Sequence, residues 1–496
     1  MSEDRERFDV IVVGCGNAAL SAALSAKENG AKVLVLEKAP EEWRGGNSYF
    51  TGGLFRFAFD NVNEVFDLVD DMSDAEKEGV EIKPYTSDNF FGDLYRLTDN
   101  MADPDLANTL VFNSLPTMKW LREKNVRFVL ASGRQAFNVG GKLRFWGGLI
   151  LEAVGGGVGL VDFLIQQAER DEIEIRYATK ATNLLTDRMG AVTGIGIRGP
   201  EGPYEIDAGA VVLGAGGFQA NTEMRCRYLG PDWELAKVRG TPYNTGDAIQ
   251  MGLNIGAQSH GHWSSSHTVQ WDLGAPPFGD RKVGENFQKH SYPFGLIVNI
   301  HGKRFVDEGA DFRNYTYAEY GRRVLKQPSR IAWQIFDQKL HPLMRDEYRI
   351  REVTKHQADT LDELARKMEI DVGEFVKTIE EYNAAVQDTK FNPTILDGKK
   401  TVGIEPPKSN WAQRMDTPPY EAYGVTAGIT FTFGGLKTTK DAQVLDSENK
   451  DISGLFACGE MLGGLFYYNY PGGSGLMAGA VFGKLAGEGA ARHAVP

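Results

Sequence analysis

The chain has 496 residues, of which 42% are hydrophobic and 24% are charged, and its formal net charge is -13. One hydrophobic core does not suffice at this length, so we expect two domains. The negative charge disfavours nucleic acid as a partner, and the lack of an apolar run of about 18 residues disfavours direct membrane insertion. Cys15, Cys226 and Cys458 are too far apart for a disulfide framework, a CxxC pair, an iron–sulfur motif or a haem site. Any redox cofactor should therefore be organic, and no metal site is expected.

Residues 1–7 are densely charged and lead directly into an apolar strand. A secretory signal would place an apolar stretch here, and a transit peptide would be poor in acidic residues. We therefore expect a cytoplasmic protein.

The next residues predict a βαβ unit, with a strand over 8–13, a helix over 20–29 and a second strand over 32–36. The turn between the first strand and the helix reads GCGNAA, residues 14–19. A turn of this kind, after a strand and before a helix, is typical of dinucleotide-binding domains.

Each small residue of the turn has a predicted role. Gly14 permits the tight turn, Gly16 lets the backbone approach a pyrophosphate, and Ala19 stands where the helix packs on the strand. Glu37 ends the second strand 21 residues after Gly16, where a carboxylate accepts hydrogen bonds from ribose. The unit therefore predicts a dinucleotide site, and the alternative is a tight βα turn without a ligand.

Further glycine-rich segments follow. The loop GGNSYFTGG covers residues 45–53, and two more strands end in glycines at 210–218 and 451–460. Glycine-terminated strands spread along the chain indicate one large cofactor held by a discontinuous domain. Residues 155–159, GGGVG, also resemble a nucleotide loop, but no strand with a terminal acid follows. We interpret them as the start of a helix over 160–170.

Between residues 258 and 429 aromatic, histidine and charged residues become frequent, and 358–386 has the pattern of two amphipathic helices. This stretch predicts an inserted α+β capping domain. The predicted fold is α/β: a discontinuous Rossmann-like domain from residues 1–257 and 430–496, with the cap between its two parts.

These motifs, with the turn NTGD at 244–247, GKRFVDE at 302–308 and GLFACGE followed by GGSGL, resemble the flavoprotein subunits of the succinate dehydrogenase and fumarate reductase superfamily. The resemblance covers nearly the whole chain and implies an FAD-dependent oxidoreductase that passes a hydride between a substrate carbon and flavin N5. The combination of GGNSYFTGG, GKRFVDEGADFRNYTYAEYG and FYYNYPGGSGL is most similar to the tricarballylate dehydrogenases, which form cis-aconitate. A small carboxylated substrate is thus implied.

By position, the resemblance assigns Glu37 to the adenosine ribose, Ala18 to the pyrophosphate and Ala181 to adenine. The further residues that it implies for FAD, on the flavin side and along the ribityl and ribose chain, are Asn47, Ser48, Gly52, Gly53, Asp247, Glu460, Gly475 and Leu476. The last two open a helix whose N-terminus would stabilise anionic reduced flavin. Membrane-bound members attach FAD through a histidine near the GGNSYFTGG loop, but His260 is the first histidine here. FAD is therefore expected to be bound non-covalently.

The catalytic positions depart from the superfamily pattern. Arg313 corresponds to the arginine that delivers a proton, with carboxylate binding or a salt bridge to Asp311 as alternatives. His267 matches a substrate histidine in part, and a structural role is the alternative. A second family histidine falls on Thr430, and the substrate arginine falls on Tyr470.

The family's proton-relay glutamate and arginine correspond to Gln288 and Ser291. Tyr470 precedes a Pro-Gly turn, as does a ketone-polarising tyrosine in ketosteroid dehydrogenases, and Tyr315 and Tyr467 are expected beside it. The site residues therefore leave two kinds of pocket open, one for a polycarboxylate and one for a ketone. A third possibility is that these tyrosines only pack over the flavin.

The leading hypothesis is a dehydrogenase of a carboxylated substrate. Its rivals among enzymes are a 3-ketosteroid dehydrogenase and a fumarate or enoate reductase. The alternative from a different class is a non-catalytic flavin-carrying subunit. Reduced flavin has to be reoxidised, and the sequence has no haem motif or second complete nucleotide site. A separate membrane-bound or soluble electron acceptor is therefore expected as a partner.

Overall fold

The computed structural model describes residues 5–495, so the charged residues 1–4 of the expected cytoplasmic N-terminus lie outside the described part. The strands are β1 (Arg7–Val13), β2 (Val33–Leu36), β3 (Leu54–Phe55), β4 (Val80–Glu81), β5 (Phe128–Leu130), β6 (Ala136–Val139), β7 (Lys142–Phe145), β8 (Leu151–Ala153), β9 (Glu174–Arg176), β10 (Lys180–Thr186), β11 (Val192–Gly199), β12 (Gly202–Leu213), β13 (Lys237–Val238), β14 (Ser259–Asp272), β15 (Leu296–Asn299), β16 (Ala332–Phe336), β17 (Lys355–Ala358), β18 (Tyr420–Leu436), β19 (Gln443–Leu445) and β20 (Asp451–Ala457).

The helices are α1 (Asn17–Glu28), α2 (Val62–Phe66), α3 (Asp74–Glu78), α4 (Ser87–Leu97), α5 (Pro104–Glu123), α6 (Ser132–Gln135), α7 (Gly156–Arg170), α8 (Thr222–Met224), α9 (Asp247–Asn254), α10 (Arg313–Leu325), α11 (Leu361–Met368), α12 (Val372–Ala385) and α13 (Ser474–Ala494). No helix within residues 5–495 is long and apolar enough to cross a membrane.

The first sheet has a parallel core in the order β20-β12-β1-β2-β9, which β11 and β10 extend in antiparallel fashion from the first half of β12. β1 and β2 are apolar over almost their whole length because helices cover both faces of such a sheet. This is the predicted Rossmann-like architecture, and the α/β fold class is confirmed. Residues 155–159 do begin a helix, α7, as expected.

The second sheet has β18 at its centre, with β13, β14, β16 and β17 on its edges and β15 beyond β16. β14 runs antiparallel to β18, from Ser259 opposite Leu436 to Asp272 opposite Val425. The two helices expected in 358–386 are present as α11 and α12. The predicted boundary between residues 429 and 430 falls inside β18, so the cap and the cofactor part share one continuous strand. The domain division otherwise stays a prediction.

α1 and α13 cross at backbone contact on one face of the first sheet. A Cβ atom added at Gly483 would lie 2.4 Å from the Ala18 carbonyl oxygen, and one at Gly487 would lie 2.1 Å from that of Ala22. Neither position has room for a methyl group, and the close approach sets where the N-terminus of α1 points.

We expect Gly487→Ala to destabilise the protein by about 1–3 kcal/mol, because the methyl group has to push α13 away from α1. Urea denaturation of the apoprotein measures this effect. Gly92→Ala in α4 is the matched control: nothing lies within 4 Å of its added Cβ, so better helix propensity should leave stability unchanged or raise it by up to about 1 kcal/mol. Equal effects of the two substitutions would contradict the packing argument.

Candidate active site

One cavity, partly open to solvent, lies between the two sheets. It extends from the carboxyl ends of β1 and β2 to the start of α10. The predicted cofactor residues that line it are Gly14, Gly16, Ala18, Glu37, Asn47, Ser48, Gly52, Ala181, Asp247, Glu460, Gly475 and Leu476.

Two predicted cofactor residues lie behind the cavity wall. Ala19 packs against Gly214, where an added Cβ would lie 3.0 Å from the Ala19 Cβ. Gly53 has φ +67° and lies against Gly156, whose carbonyl carbon would be 2.6 Å from a Cβ at Gly53. Ala19 thus packs the helix on the sheet, as its predicted role requires. Gly53 is not among the residues that line the cavity, and its assignment to the flavin side stays a prediction.

The β1–α1 turn offers the cavity backbone N–H groups. Gly14 has φ +107°, and a Cβ there would lie 2.6 Å from the Gly214 carbonyl oxygen, so only glycine fits. Asn17 donates its backbone N–H to Ser48 Oγ (3.0 Å). The first turn of α1 carries no acidic side chain. Its positive end is therefore free to stabilise a pyrophosphate.

Acidic groups mark the end of the cavity beside β2. Glu37 is 7% exposed, and its Oε1 accepts from the Ala39 backbone N–H (2.7 Å). Burial raises the Glu37 pKa. Asp247 accepts from Lys180 Nζ (2.9 Å) and Lys38 Nζ (2.5 Å). Burial favours protonation of Asp247, but Lys38, Thr245 and Lys180 outweigh it and lower the pKa to about 2. Both assigned roles toward the adenosine half stay predictions.

The middle of the cavity carries an incompletely bonded carboxylate. Glu460 Oε2 accepts from the Gly217 backbone N–H (2.9 Å) and from Gln219 Nε2 (3.2 Å). Within residues 5–495, Glu460 Oε1 has no hydrogen-bond partner. Burial raises the Glu460 pKa to about 7. An unpartnered oxygen of this kind suits a ligand hydroxyl, as ribose or ribityl groups provide.

α13 begins at the same cavity, with Gly475 and Leu476 in the wall and no acidic residue in its first turn. Two helix N-termini, a glycine cradle and the unpartnered Glu460 oxygen fit an extended dinucleotide, and Gly475 and Leu476 at the start of α13 would hold its redox ring. The residues present therefore fit FAD.

Beyond this region the cavity ends in a compartment that we call the inner chamber. Its wall consists of Arg239, His267, His290, Arg313, Tyr317 and Tyr470. The His267 ring centroid lies 4.8 Å from that of Tyr317 and 4.9 Å from that of Tyr470. The hydroxyls of Tyr317 and Tyr470 are hydrogen-bonded to each other.

A bulge between β14 and β18 shapes the wall beside the inner chamber. His267 pairs with Phe431, whereas Thr268 pairs with Ile429, so Thr430 has no partner across the ladder. Bulges re-aim side chains in this way near active sites. Thr430 Oγ1 lines the cavity and lacks a hydrogen-bond partner within the described residues, so the structure places the predicted Thr430 at the site.

His267 is 1% exposed, and neither ring nitrogen has a hydrogen-bond partner within residues 5–495. Burial, followed by the charge of Arg239, holds the His267 pKa well below its usual range. Burial also lowers the pKa of His290, and the charges of Arg313 and Arg239 lower it further. Both imidazoles are therefore neutral at physiological pH.

Arg313 is the first residue of α10, is 8% exposed and donates from Nη2 to the Arg134 carbonyl oxygen (3.1 Å). Burial lowers its pKa, and Glu347 opposes this effect. No carboxylate in residues 5–495 forms a salt bridge with Arg313. The alternative salt bridge with Asp311 is wrong, because Asp311 accepts from Arg96 (2.7 Å).

Two predicted substrate residues lie outside the cavity. Tyr315 donates to Asp93 Oδ2 (2.6 Å), and the Tyr467 ring lies against His262 (5.6 Å between centroids). Both substrate assignments therefore need correction. On a helix, residue i+2 points away from residue i whereas i+4 shares its face, so Tyr317, and not Tyr315, joins Arg313 in the chamber.

The sequence interpretation also missed Arg239 and His290. The helical period would have identified Tyr317, but no local signal marks Arg239, which follows a two-residue strand. Gln288, one of the two proton-relay positions, lines the cavity. Ser291 lies outside it, with its Oγ accepting from the Arg345 backbone N–H (3.0 Å).

A buried arginine fixes the loops around the chamber. Arg56 is 0% exposed and donates to the carbonyl oxygens of Gly472 (2.7 Å) and Gly147 (2.9 Å). Gly472 in turn donates its N–H to the Asn314 carbonyl oxygen (2.9 Å). The start of α10 and the loop that leads into α13 are thereby joined.

We expect Glu37→Ala to weaken FAD binding about tenfold or more, because a buried acceptor for ribose hydroxyls is lost. Reduction of the flavin that remains bound should be unchanged. Fluorescence titration of the apoprotein with FAD measures the affinity. The control is Glu174→Ala, which removes an exposed acid of β9 that pairs with Arg176. Equal affinities of the Glu37 variant and the wild type would show that Glu37 only ends the strand.

Comparisons with known proteins agree with this geometry. The family model described as FAD binding domain matches residues 9–476. A fumarate reductase (cytochrome) of Shewanella frigidimarina is 28% identical over 495 residues, which cover 99% of this chain and 78% of that protein. The open conformation of a flavocytochrome c3 fumarate reductase superposes with a TM-score of 0.71 at 27% identity, covering 99% of this chain and 79% of that one.

A 3-ketosteroid Δ1-dehydrogenase from Sterolibacterium denitrificans shares the fold, with a TM-score of 0.72 at 23% identity over 98% of this chain and 100% of that one. The family model spans most of the present chain. The protein therefore belongs to the FAD-binding domain family, within the superfamily of succinate dehydrogenase and fumarate reductase flavoproteins, and is an FAD-dependent oxidoreductase acting on carbon–carbon bonds.

Proposed function

We propose that the protein is a dehydrogenase that desaturates a CH–CH bond of a small carboxylated substrate, with tricarballylate as the substrate and cis-aconitate as the product. The observation that carries the proposal is Arg313, a buried guanidinium with no salt-bridge partner within residues 5–495 that faces the FAD cavity. A buried charge without a counter-ion is costly. Glu347 acts on Arg313 without forming a salt bridge with it, and a substrate carboxylate would supply the direct ion pair.

The chain's own residues suit the two halves of the reaction. FAD, when bound non-covalently, accepts a hydride at N5. Arg313 orients the substrate through a carboxylate, since a guanidinium stays protonated and binds carboxylates with two parallel hydrogen bonds. The neutral His267 accepts the proton from the adjacent carbon, because its ring nitrogens are free of other partners. Tyr317 and Tyr470, hydrogen-bonded to each other, line the same chamber.

Anaerobic mixing tests the function. The FAD-loaded protein should lose its visible flavin absorbance with tricarballylate, and the product should be cis-aconitate by NMR. Bleaching by a 3-ketosteroid alone would favour the second candidate, a ketosteroid-type dehydrogenase, which the hydroxyl pair of Tyr317 and Tyr470 supports. Bleaching by neither substrate nor by succinate would indicate a flavin-carrying subunit. Turnover further requires a separate electron acceptor, membrane-bound or soluble, and artificial dyes should replace it.

We expect Arg313→Lys to raise KM about tenfold or more with a smaller change in kcat, because lysine keeps the charge but loses the planar fork that binds a carboxylate. Steady-state kinetics with tricarballylate and an artificial dye measure both constants. Arg96→Lys, which alters an exposed partner of Asp311 outside the cavity, is the control. A fall in kcat at constant KM would assign proton transfer to Arg313, and unchanged constants would remove Arg313 from the site.

A further inference from the structure

Arg239 brings a second guanidinium into the inner chamber. It directly follows β13 and donates its backbone N–H to the Ile429 carbonyl oxygen (2.9 Å). Its side chain is 6% exposed and lines the cavity. Arg239 Nη2 lies 3.3 Å from Glu285 Oε2, and its Nε has no hydrogen-bond partner within residues 5–495.

Glu285 does not fully neutralise the Arg239 guanidinium, because the Glu285 carboxylate also pairs with Arg134. Its other carboxylate oxygen pairs with Arg134. Among the residues that line this end of the cavity, three guanidiniums, of Arg134, Arg239 and Arg313, face one carboxylate. Arg134 has a second carboxylate partner behind the wall, Glu152, at 2.9 Å. Arg239 therefore shares its carboxylate with Arg134, and Arg313, whose charge the buried Glu347 favours from a distance, forms no salt bridge within residues 5–495.

Glu285 also fixes where Arg239 can reach. A Cβ added at Gly52 would lie 3.1 Å from each Glu285 carboxylate oxygen. The Glu285 carboxylate thus packs closely against Gly52 of the glycine-rich loop at residues 45–53. It holds the Arg239 guanidinium beside the aromatic and imidazole wall of the chamber and is a positioning residue.

The guanidiniums of Arg239 and Arg313 line the same cavity. His290 lies close enough to both for each of their charges to lower its pKa, and its Nε2 has no partner within the described residues. The positions where the superfamily pattern has a substrate arginine and a histidine are occupied by the neutral Tyr470 and Thr430. The second positively charged side chain of the chamber is therefore Arg239, which follows β13, and not a residue of the loop before α13.

We propose that Arg239 is a second carboxylate-binding residue, acting together with Arg313, and that the pair restricts the site to substrates with at least two carboxylates. The inference rests on the proposed function. It assigns the selectivity to a residue outside the motifs, and it predicts that a monocarboxylate binds through Arg313 alone.

Isothermal titration calorimetry of the FAD-loaded protein tests this with tricarballylate, succinate and butyrate, the last of which lacks a second carboxylate. Wild type should bind tricarballylate and succinate at least about tenfold more tightly than butyrate. Arg239→Gln should weaken succinate binding about tenfold or more and leave butyrate binding unchanged, so that the preference disappears. The control is Arg322→Gln, which removes a guanidinium bonded to Ser265 outside the cavity and should keep the preference.

The outcomes separate the two proposals. If wild type prefers succinate and Arg239→Gln keeps that preference, Arg239 is not a carboxylate-binding residue while the proposed function stands. If the wild type binds none of the three acids and none of them bleaches the flavin, the proposed function is wrong, and the inference that rests on it is wrong as well. Should Arg239→Gln lose its fold or its FAD, Arg239→Lys carries the test: a reduced preference supports the inference, and an unchanged preference overturns it.

Discussion

The fully buried guanidinium of Arg56 joins two of the segments that line the inner chamber, the start of α10 and the loop that leads into α13. Removing such a charge from water costs several kcal/mol unless hydrogen bonds and nearby charges compensate. Here the carbonyl oxygens of Gly472 and Gly147 accept from it, Asp93 lies 3.7 Å away, and the Tyr85 ring centroid lies 5.0 Å away. Gly472 then bonds to the backbone at the start of α10. The contact therefore ties the start of α10, which carries Arg313, to the loop before α13, which carries Tyr470.

Low polarity and positive charge together set the chemistry of the chamber. Burial keeps the imidazoles of His267 and His290 neutral, and the nearby guanidiniums reinforce this effect. Neutral imidazoles are available to accept a proton. The same guanidiniums, which are buried, attract anions more strongly than they would at the surface. The groups that bind the proposed substrate thus also keep the base in its reactive form.

The sequence predicted the cofactor half better than the chamber, and the reason is physical. Gly14 has a backbone angle that favours glycine and no space for a side chain, so the local sequence records the geometry directly. Tyr315 was misassigned because the helical period of α10 places Tyr317, and not Tyr315, on the same face as Arg313. Arg239 and His290 reach the chamber from segments far apart in the chain. Their convergence depends on long-range packing, for which a single sequence has no local signal.

The continuity of β18 limits any hinge movement at the predicted domain boundary. The first residues of the strand pair with β16 and β17 of the predicted cap, and Thr430 and Phe431 farther along it line the cavity. A hinge at residue 430 would have to break the long ladder with β14, which extends past that point on both sides. The ladder is already interrupted between His267 and Thr268, beside the unpaired Thr430. Bulges re-aim side chains near active sites, and movement at this one would shift His267 and Thr430 together.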